Sequence, residues 1–250
     1  MNITRSSNPV LGENTFRGLA FTGDKQSVMT IQGTVNKSIL LVLLVVVSAS
    51  YTWKLMIDGA SSAMMTYMLV GVFGGFIAAL ISVFKKTWSP YTSPVYAILE
   101  GLFLGGISAM LNAQFPGIVI QAVALTFGTL FGLLFAYKSG LIKVTENFKL
   151  GVVTATGGIA IAYFLSFILG LFGVNIGFIH SNGPVGIIVS LVIVVVAALN
   201  LVLDFDFIEH AAESGAPKYM EWYAAFGLLV TLVWLYLEML RLLAKFNSRR

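Results

Sequence analysis

Five of the eleven acidic residues stand inside or at the edge of strongly apolar sequence: Glu100, Asp204, Asp206, Glu221 and Glu238. A carboxylate there can hold a proton, pair with a cation or lend an oxygen to a metal ion. Leaving it ionised at the centre of a bilayer costs at least a few kcal/mol, roughly 2.5 or more. Glu100 lies in Tyr96-Ala-Ile-Leu-Glu-Gly-Leu-Phe-Leu-Gly105 with no neighbouring charge along the chain, so it must face a bundle interior or a water cavity, or be protonated. A hydrogen-bonding strut and a proton site are both open for it. Asp204 and Asp206 fall in Leu199-Asn-Leu-Val-Leu-Asp-Phe-Asp-Phe-Ile-Glu-His210. On a helix Asn200 and Asp204 share a face, four residues apart, while Asp206 points about 200° away, towards Glu209, His210 and Glu213. That second set reads as the solvated end of a helix, which leaves Asp204 as the deeper and costlier acid. Glu238 has Arg241 one turn on and reads as a local ion pair. Glu221 reads as a border residue, and His180, beside Ser181-Asn-Gly-Pro184, as an exposed loop residue.

The familiar enzyme signatures are not met. Glu209-His-Ala-Ala-Glu213 lacks the second histidine of a zinc-protease helix, and there is no phosphate-binding glycine loop. No serine–histidine dyad or Gly-x-Gly-Asp intramembrane protease motif is found. The chain has no cysteine, which excludes disulfides, thiolate metal sites and a thiol nucleophile. A non-enzymatic protein without a resident cofactor is expected.

The elements that must carry these residues follow from composition. The 250 residues are 58% hydrophobic and 10% charged, far from the quarter charged of a soluble domain. Lipid must replace water as the main solvent. Apolar runs long enough to cross a ~30 Å hydrocarbon layer recur at roughly 38–57, 63–84, 94–113, 118–137, 151–172, 184–208 and 222–244, separated by short polar breaks. The expected architecture is an all-α membrane protein: a polar, poorly ordered tail over 1–37, a seven-helix domain over 38–244 and a short basic tail over 245–250. The tail lacks the order of a cleaved signal peptide. Glycine pairs four apart, Gly71/Gly75, Gly101/Gly105 and Gly128/Gly132, suit close helix contact. Trp53, Trp88, Trp222 and Tyr219 near run ends suit the interface.

Basic residues concentrate in the N-terminal tail and in the breaks at 85–86, 138–149 and 213–221, whereas the alternate breaks hold only Lys54. The N-terminus is therefore expected in the cytoplasm. Arg241, Lys245, Arg249 and Arg250 oppose the exit of the C-terminus that seven crossings require. Either the first six segments overrule them, the expectation adopted here, or the seventh segment enters and returns. The net charge of +4 is read as membrane orientation and gives no reason to expect a nucleic-acid partner.

Three pieces carry a resemblance: Leu99-Glu-Gly-Leu-Phe-Leu-Gly105, Leu203-Asp-Phe-Asp-Phe-Ile208, and Ala224-Ala-Phe-Gly-Leu-Leu-Val-Thr-Leu-Val-Trp-Leu-Tyr-Leu-Glu-Met-Leu-Arg241. In order and spacing they resemble the Bax inhibitor (YccA-like) transmembrane family, over about residues 37–244. The resemblance implies seven helices with a central helix wrapped by the others, and activity as a pH-sensitive calcium leak that dampens stress or cell-death responses. It also implies a proton-sharing pair of aspartates on the sixth and seventh helices. The first matches Asp204, with Asp206 in place of the usual glutamine two residues later. The second falls on Thr231, which can donate a hydrogen bond to Asp204 but cannot share an ionisable proton. The second run likewise has no lysine or arginine to pair with Asp204.

Two functional expectations follow. In the first, a carboxylate cluster around Asp204 and Glu100, with Asp206, Asn200 and Thr231 on the ion pathway, changes protonation and biases two packings of the bundle. Burial and a second nearby carboxylate both favour the protonated form. Any calcium contact at Asp204 would be weak and transient and would need carbonyls or waters to complete its oxygen shell. In the second, the protein does not conduct and instead regulates other membrane proteins, such as membrane-anchored proteases, through its helices and tail. A transporter is disfavoured by the lack of an inverted repeat or paired broken helices. The expected home is a bacterial cytoplasmic membrane, since Phe246-Asn-Ser-Arg-Arg250 is a plain basic end.

Overall fold

The computed structural model describes residues 28–173 and 183–248. Residues 1–27, most of the expected tail, lie outside them, as do His180 and the last two arginines. Among the described residues seven helices are long and apolar enough to cross a membrane. They are α1 (Ile31–Ile57), α2 (Ser61–Phe84), α3 (Ser89–Gln114), α4 (Ile118–Lys138), α5 (Glu146–Leu171), α6 (Pro184–Glu213) and α7 (Met220–Asn247). Even α4, the shortest at 21 residues, is about 32 Å long at 1.5 Å per residue. The seventh segment, at 28 residues, has ample length for a full crossing.

The helix ends follow local chemistry. Thr30 and Thr145 cap α1 and α5, their hydroxyl oxygens accepting from Gly33 N and Phe148 N. Gly59 and Gly117, with φ of 74° and 85°, close the turns after α1 and α3 in a left-handed conformation that a side chain would strain. Three helices start at least five residues before the apolar runs: α1, α3 and α5, the last at Glu146 directly behind its Thr145 cap. α1 begins at Ile31, inside the segment expected as tail, because its polar first turns find partners described below. α3 begins at Ser89 after a 3₁₀ turn over Lys86–Trp88, and takes in Pro90, whose missing N–H costs little in a first turn.

The chain forms two compact units. One comprises α1–α3 with Phe207–Val230, the hairpin tip between α6 and α7; the other comprises Gly117–Asp206 and the chain from Thr231 onward. In the first unit small residues set the packing. A Cβ at Gly71 would press on the Leu99 carbonyl and Phe103 N, and one at Gly101 or Gly105 would overlap the Val45 or Ala49 carbonyl. These backbones approach as closely as small-residue helix packing allows. Gly128 and Gly132 depart from the expectation: nothing lies within 4 Å of a Cβ at either, and both are exposed. That face of α4 is exposed, and most of α5 is exposed or half-buried apart from the face carrying Lys149 and Val152. Most burial falls on α6 and α7.

Candidate functional site

In the second unit, α6 and α7 bring most of the expected residues into buried positions. Asn200, Asp204, Asp206 and Thr231 are all buried, Asp204 completely. Asn200 Nδ2 donates to Thr156 Oγ1 at 2.8 Å and to the Val196 carbonyl at 2.8 Å, tying α6 to α5. Leu201, Val202, Leu203, Phe205 and Phe207 enclose the same stretch of α6 as core residues. Asp204 is therefore a carboxyl in a largely apolar helix segment, one turn from a hydrogen-bonded amide.

Asp206 differs from its expected place among the solvated residues. Its carboxylate is buried and lies 3.1 Å from the Nζ of Lys149, itself 4% exposed. Lys149 also approaches Glu146 at 3.6 Å, but that partner is largely exposed and contributes little. Of the set grouped with Asp206, only His210 and Glu213 are exposed, and Glu209 is half-buried. The polar neighbours along α6 suggest a solvated helix end, but the residue that buries and pairs Asp206 is a lysine from α5, which leaves no mark on the α6 sequence. A faint signal exists: Lys149, Val152 and Thr156 fall on one face of α5, the face that meets α6.

Further along α7, Glu238 keeps its expected pairing with Arg241, at 2.8 Å, and gains Tyr163 of α5, whose hydroxyl donates to Glu238 at 2.9 Å. Arg241 both bonds that hydroxyl and stacks on the Tyr163 ring at 5.1 Å. Lys245, buried as well, donates to the Gly186 carbonyl at 2.9 Å and the Ser190 hydroxyl at 2.8 Å on α6.

Glu100 belongs to the other unit. It takes a hydrogen bond from Tyr96 one turn earlier, and its carboxylate lies over the bare backbone of Gly75 on α2. Tyr96 in turn packs edge-on against Phe226 at 4.9 Å. The placement supports a hydrogen-bonded carboxyl at a helix contact.

Glu221 is the largest departure from expectation. It is fully buried and is the most heavily bonded acid described. The Thr30 N–H donates to Oε1 at 2.9 Å and the Thr30 hydroxyl at 2.8 Å. Lys218 reaches the same oxygen at 2.9 Å, and Lys37 holds Oε2. Gly33 lies so close that a Cβ there would overlap the carboxylate. Beside it Met29 N donates to the Ala216 carbonyl at 2.6 Å, and Val28 bridges to Pro217. Residues 28–30 thus form a strap bound across the start of α7. The sequence hint was helical spacing, with Thr30, Gly33, Thr34 and Lys37 on one polar stripe that continues into the buried Leu41.

Among the described residues no three His, Cys, Asp or Glu side chains converge on a metal-sized site. A calcium ion at Asp204 would need its other oxygens from main chain, hydroxyl groups or water.

Seven apolar helices with buried carboxyls, amides and ion pairs between them define a polytopic α-helical membrane protein in contact with the lipid bilayer. Within that class the chain belongs to the Bax inhibitor 1-like family, which it matches over residues 8–248. No curated protein and no solved structure matches it.

Proposed function

We propose that the protein is a cation leak whose conducting and closed packings differ in the protonation of a buried carboxyl, with Asp204 as the proton acceptor and calcium as the cation. The observation that supports this is the complete burial of Asp204 in α6, one turn from Asn200. An ionised carboxylate in that setting demands water, a cation or a rearranged partner, so proton loss there and entry of a cation favour the same altered packing. Thr231 takes the family's second acidic position as a hydrogen-bonding group, and Asp206 is occupied by Lys149. The switch on this reading runs on one carboxyl, with Glu100 as a separate strut. No bond is made or broken, so no catalytic residue is invoked. The lysine asymmetry supports an N-terminus in the cytoplasm, and the membrane on this reading is a bacterial cytoplasmic one.

The test is calcium flux into liposomes holding the purified protein, with the pH stepped from mildly acidic to mildly alkaline. Wild type should leak with a strength that varies with pH. Asp204→Asn should make the leak constant or abolish it. Flux no greater than that of empty liposomes at every pH would overturn the reading.

A second reading draws on the strap. Because residues 28–30 are bound to the α6–α7 hairpin tip, a partner gripping the preceding segment would pull directly on that tip. A regulator of membrane-anchored proteases or other membrane proteins in a stress response would need such a handle. Removal of residues 1–27 would then abolish activity in cells while Asp204→Asn would leave it intact.

A further inference from the structure

The 3₁₀ turn between α2 and α3 carries two adjacent ammonium groups, Lys85 and Lys86, and among the described residues neither has a carboxylate within ion-pair distance. Each lies over an aromatic ring instead: Lys85 over Trp88 at 5.4 Å, Lys86 over Tyr223 at 5.7 Å. Cation–ring contacts hold the charges in place without neutralising them. The first turn of α7 collects more charge beside them. Lys37 lies over Trp222 at 5.4 Å, and Lys37 and Lys218 share the single carboxylate of Glu221. Lys37 and Lys218 thus share one carboxylate beside this turn, while the other two acids of the hairpin tip, Glu209 and Glu213, make no ion pair with Lys85 or Lys86 among the described residues.

A second observation points to a missing acceptor at the same place. Ser89, the first residue of α3, is fully buried and its hydroxyl has no hydrogen-bond partner. It shares a helix face with Ser93, whose hydroxyl donates to the Trp222 carbonyl at 3.3 Å. Ser89 therefore faces the turn of α7 that Lys86 also reaches. The start of α3 has no side-chain cap; the 3₁₀ turn before it takes up the Trp88 and Ser89 N–H groups at the Lys85 and Lys86 carbonyls. Two cations without a carboxylate partner and a hydroxyl without an acceptor among the described residues are both suited by a group of anionic oxygens.

We propose that the α2–α3 turn binds the phosphate of an anionic phospholipid, with Lys85 and Lys86 as its charged donors. The lipid is preferred to a free phosphate because the turn is flanked by apolar side chains that face outward. Phe84 is 80% exposed, Tyr91 78% and Trp88 53%, in a helix pair long enough to span the bilayer. A phosphate at the lysines places acyl chains along those rings, and interfacial tryptophan and lysine are the residues that sit at headgroup depth.

The full-length protein in detergent micelles can be titrated with phosphatidylglycerol and with phosphatidylcholine of the same acyl chains, and retained lipid counted by native mass spectrometry. Wild type should retain the anionic lipid in preference to the zwitterionic one. The Lys85→Gln/Lys86→Gln pair should bind it about 30-fold more weakly, the expected worth of two lysines near an anionic headgroup. Lys85→Arg/Lys86→Arg should keep the preference, which separates loss of charge from loss of fold. Lys54→Gln/Lys143→Gln, which removes as much charge from exposed positions elsewhere, should also keep it. Equal retention of both lipids by wild type, or an equal loss in the Lys54/Lys143 control, would overturn the proposal. Glycerol phosphate binding as tightly as the lipid would overturn the assignment of the ligand to the bilayer.

Discussion

Substituting Gly33 by alanine sets two effects of opposite sign against each other. Gly33 is the third residue of α1, where alanine is favoured over glycine by at most the roughly 1 kcal/mol of a helix interior, so on propensity alone Gly33→Ala should stabilise α1. The added methyl, however, must occupy space held by the Glu221 carboxylate, which is fixed by the Thr30 N–H and hydroxyl, Lys37 and Lys218. Hydrogen bonds to a charged group contribute about 1.5–3 kcal/mol each. Displacing the carboxylate far enough to break two of the four costs roughly 3–6 kcal/mol, and after the helix gain the net loss is about 2–5 kcal/mol. Unfolding of the purified protein in micelles, followed by the fluorescence of its four tryptophans, should show Gly33→Ala well below wild type. In a Glu221→Ala background the same substitution should be neutral or stabilising. Equal shifts in the two backgrounds, within about 0.5 kcal/mol, would refute the claim that Glu221 is what keeps position 33 bare.

Gly105→Leu should disrupt the α1–α3 contact, where a Cβ already meets the Ala49 carbonyl and Thr52, whereas Gly132→Leu, facing open space, should leave the unfolding midpoint within a degree or two of wild type, about 0.5 kcal/mol. Both are read by the same fluorescence melt. Lys149→Met removes the Lys149 ammonium from the buried Asp206 carboxylate and should destabilise by up to about 3–5 kcal/mol; Asp206→Asn in the same chain should restore a large part, and a double mutant no better than the single would remove the pair from the account.

The helices were legible because crossing a bilayer demands a run of about 20 apolar residues, and each of the seven runs falls on one described helix, the fifth ending one residue past Leu171. Sites were legible only where their partners lay along the same helix. Glu238 and Arg241 are three residues apart and pair as expected. Asp206 and Glu221 are paired by lysines from other helices, Lys149 and Lys37, so the polar run around Asp206 read as solvated and Glu221 read as a border residue. Burial is set by what packs against a residue, and local polarity is a poor proxy for it. The glycines make the same point: spacing of four marks Gly101/Gly105 and Gly128/Gly132 alike, yet a neighbouring helix packs only on the first pair.

The bonds from Thr30 and Lys37 to Glu221 join positions 191 and 184 residues apart. A ribosome adding about 5–20 residues each second needs roughly 10–40 s to travel from one to the other. During that interval α1 is already made, and the ammonium of Lys37 and the two Thr30 donors must be served by water or headgroups. Helices α4 and α5, which belong to the other unit, are synthesised and enter the membrane first. The unit built on α1–α3 is thus left open at one end until nearly the whole chain exists, and its last piece is also the one that closes over its beginning.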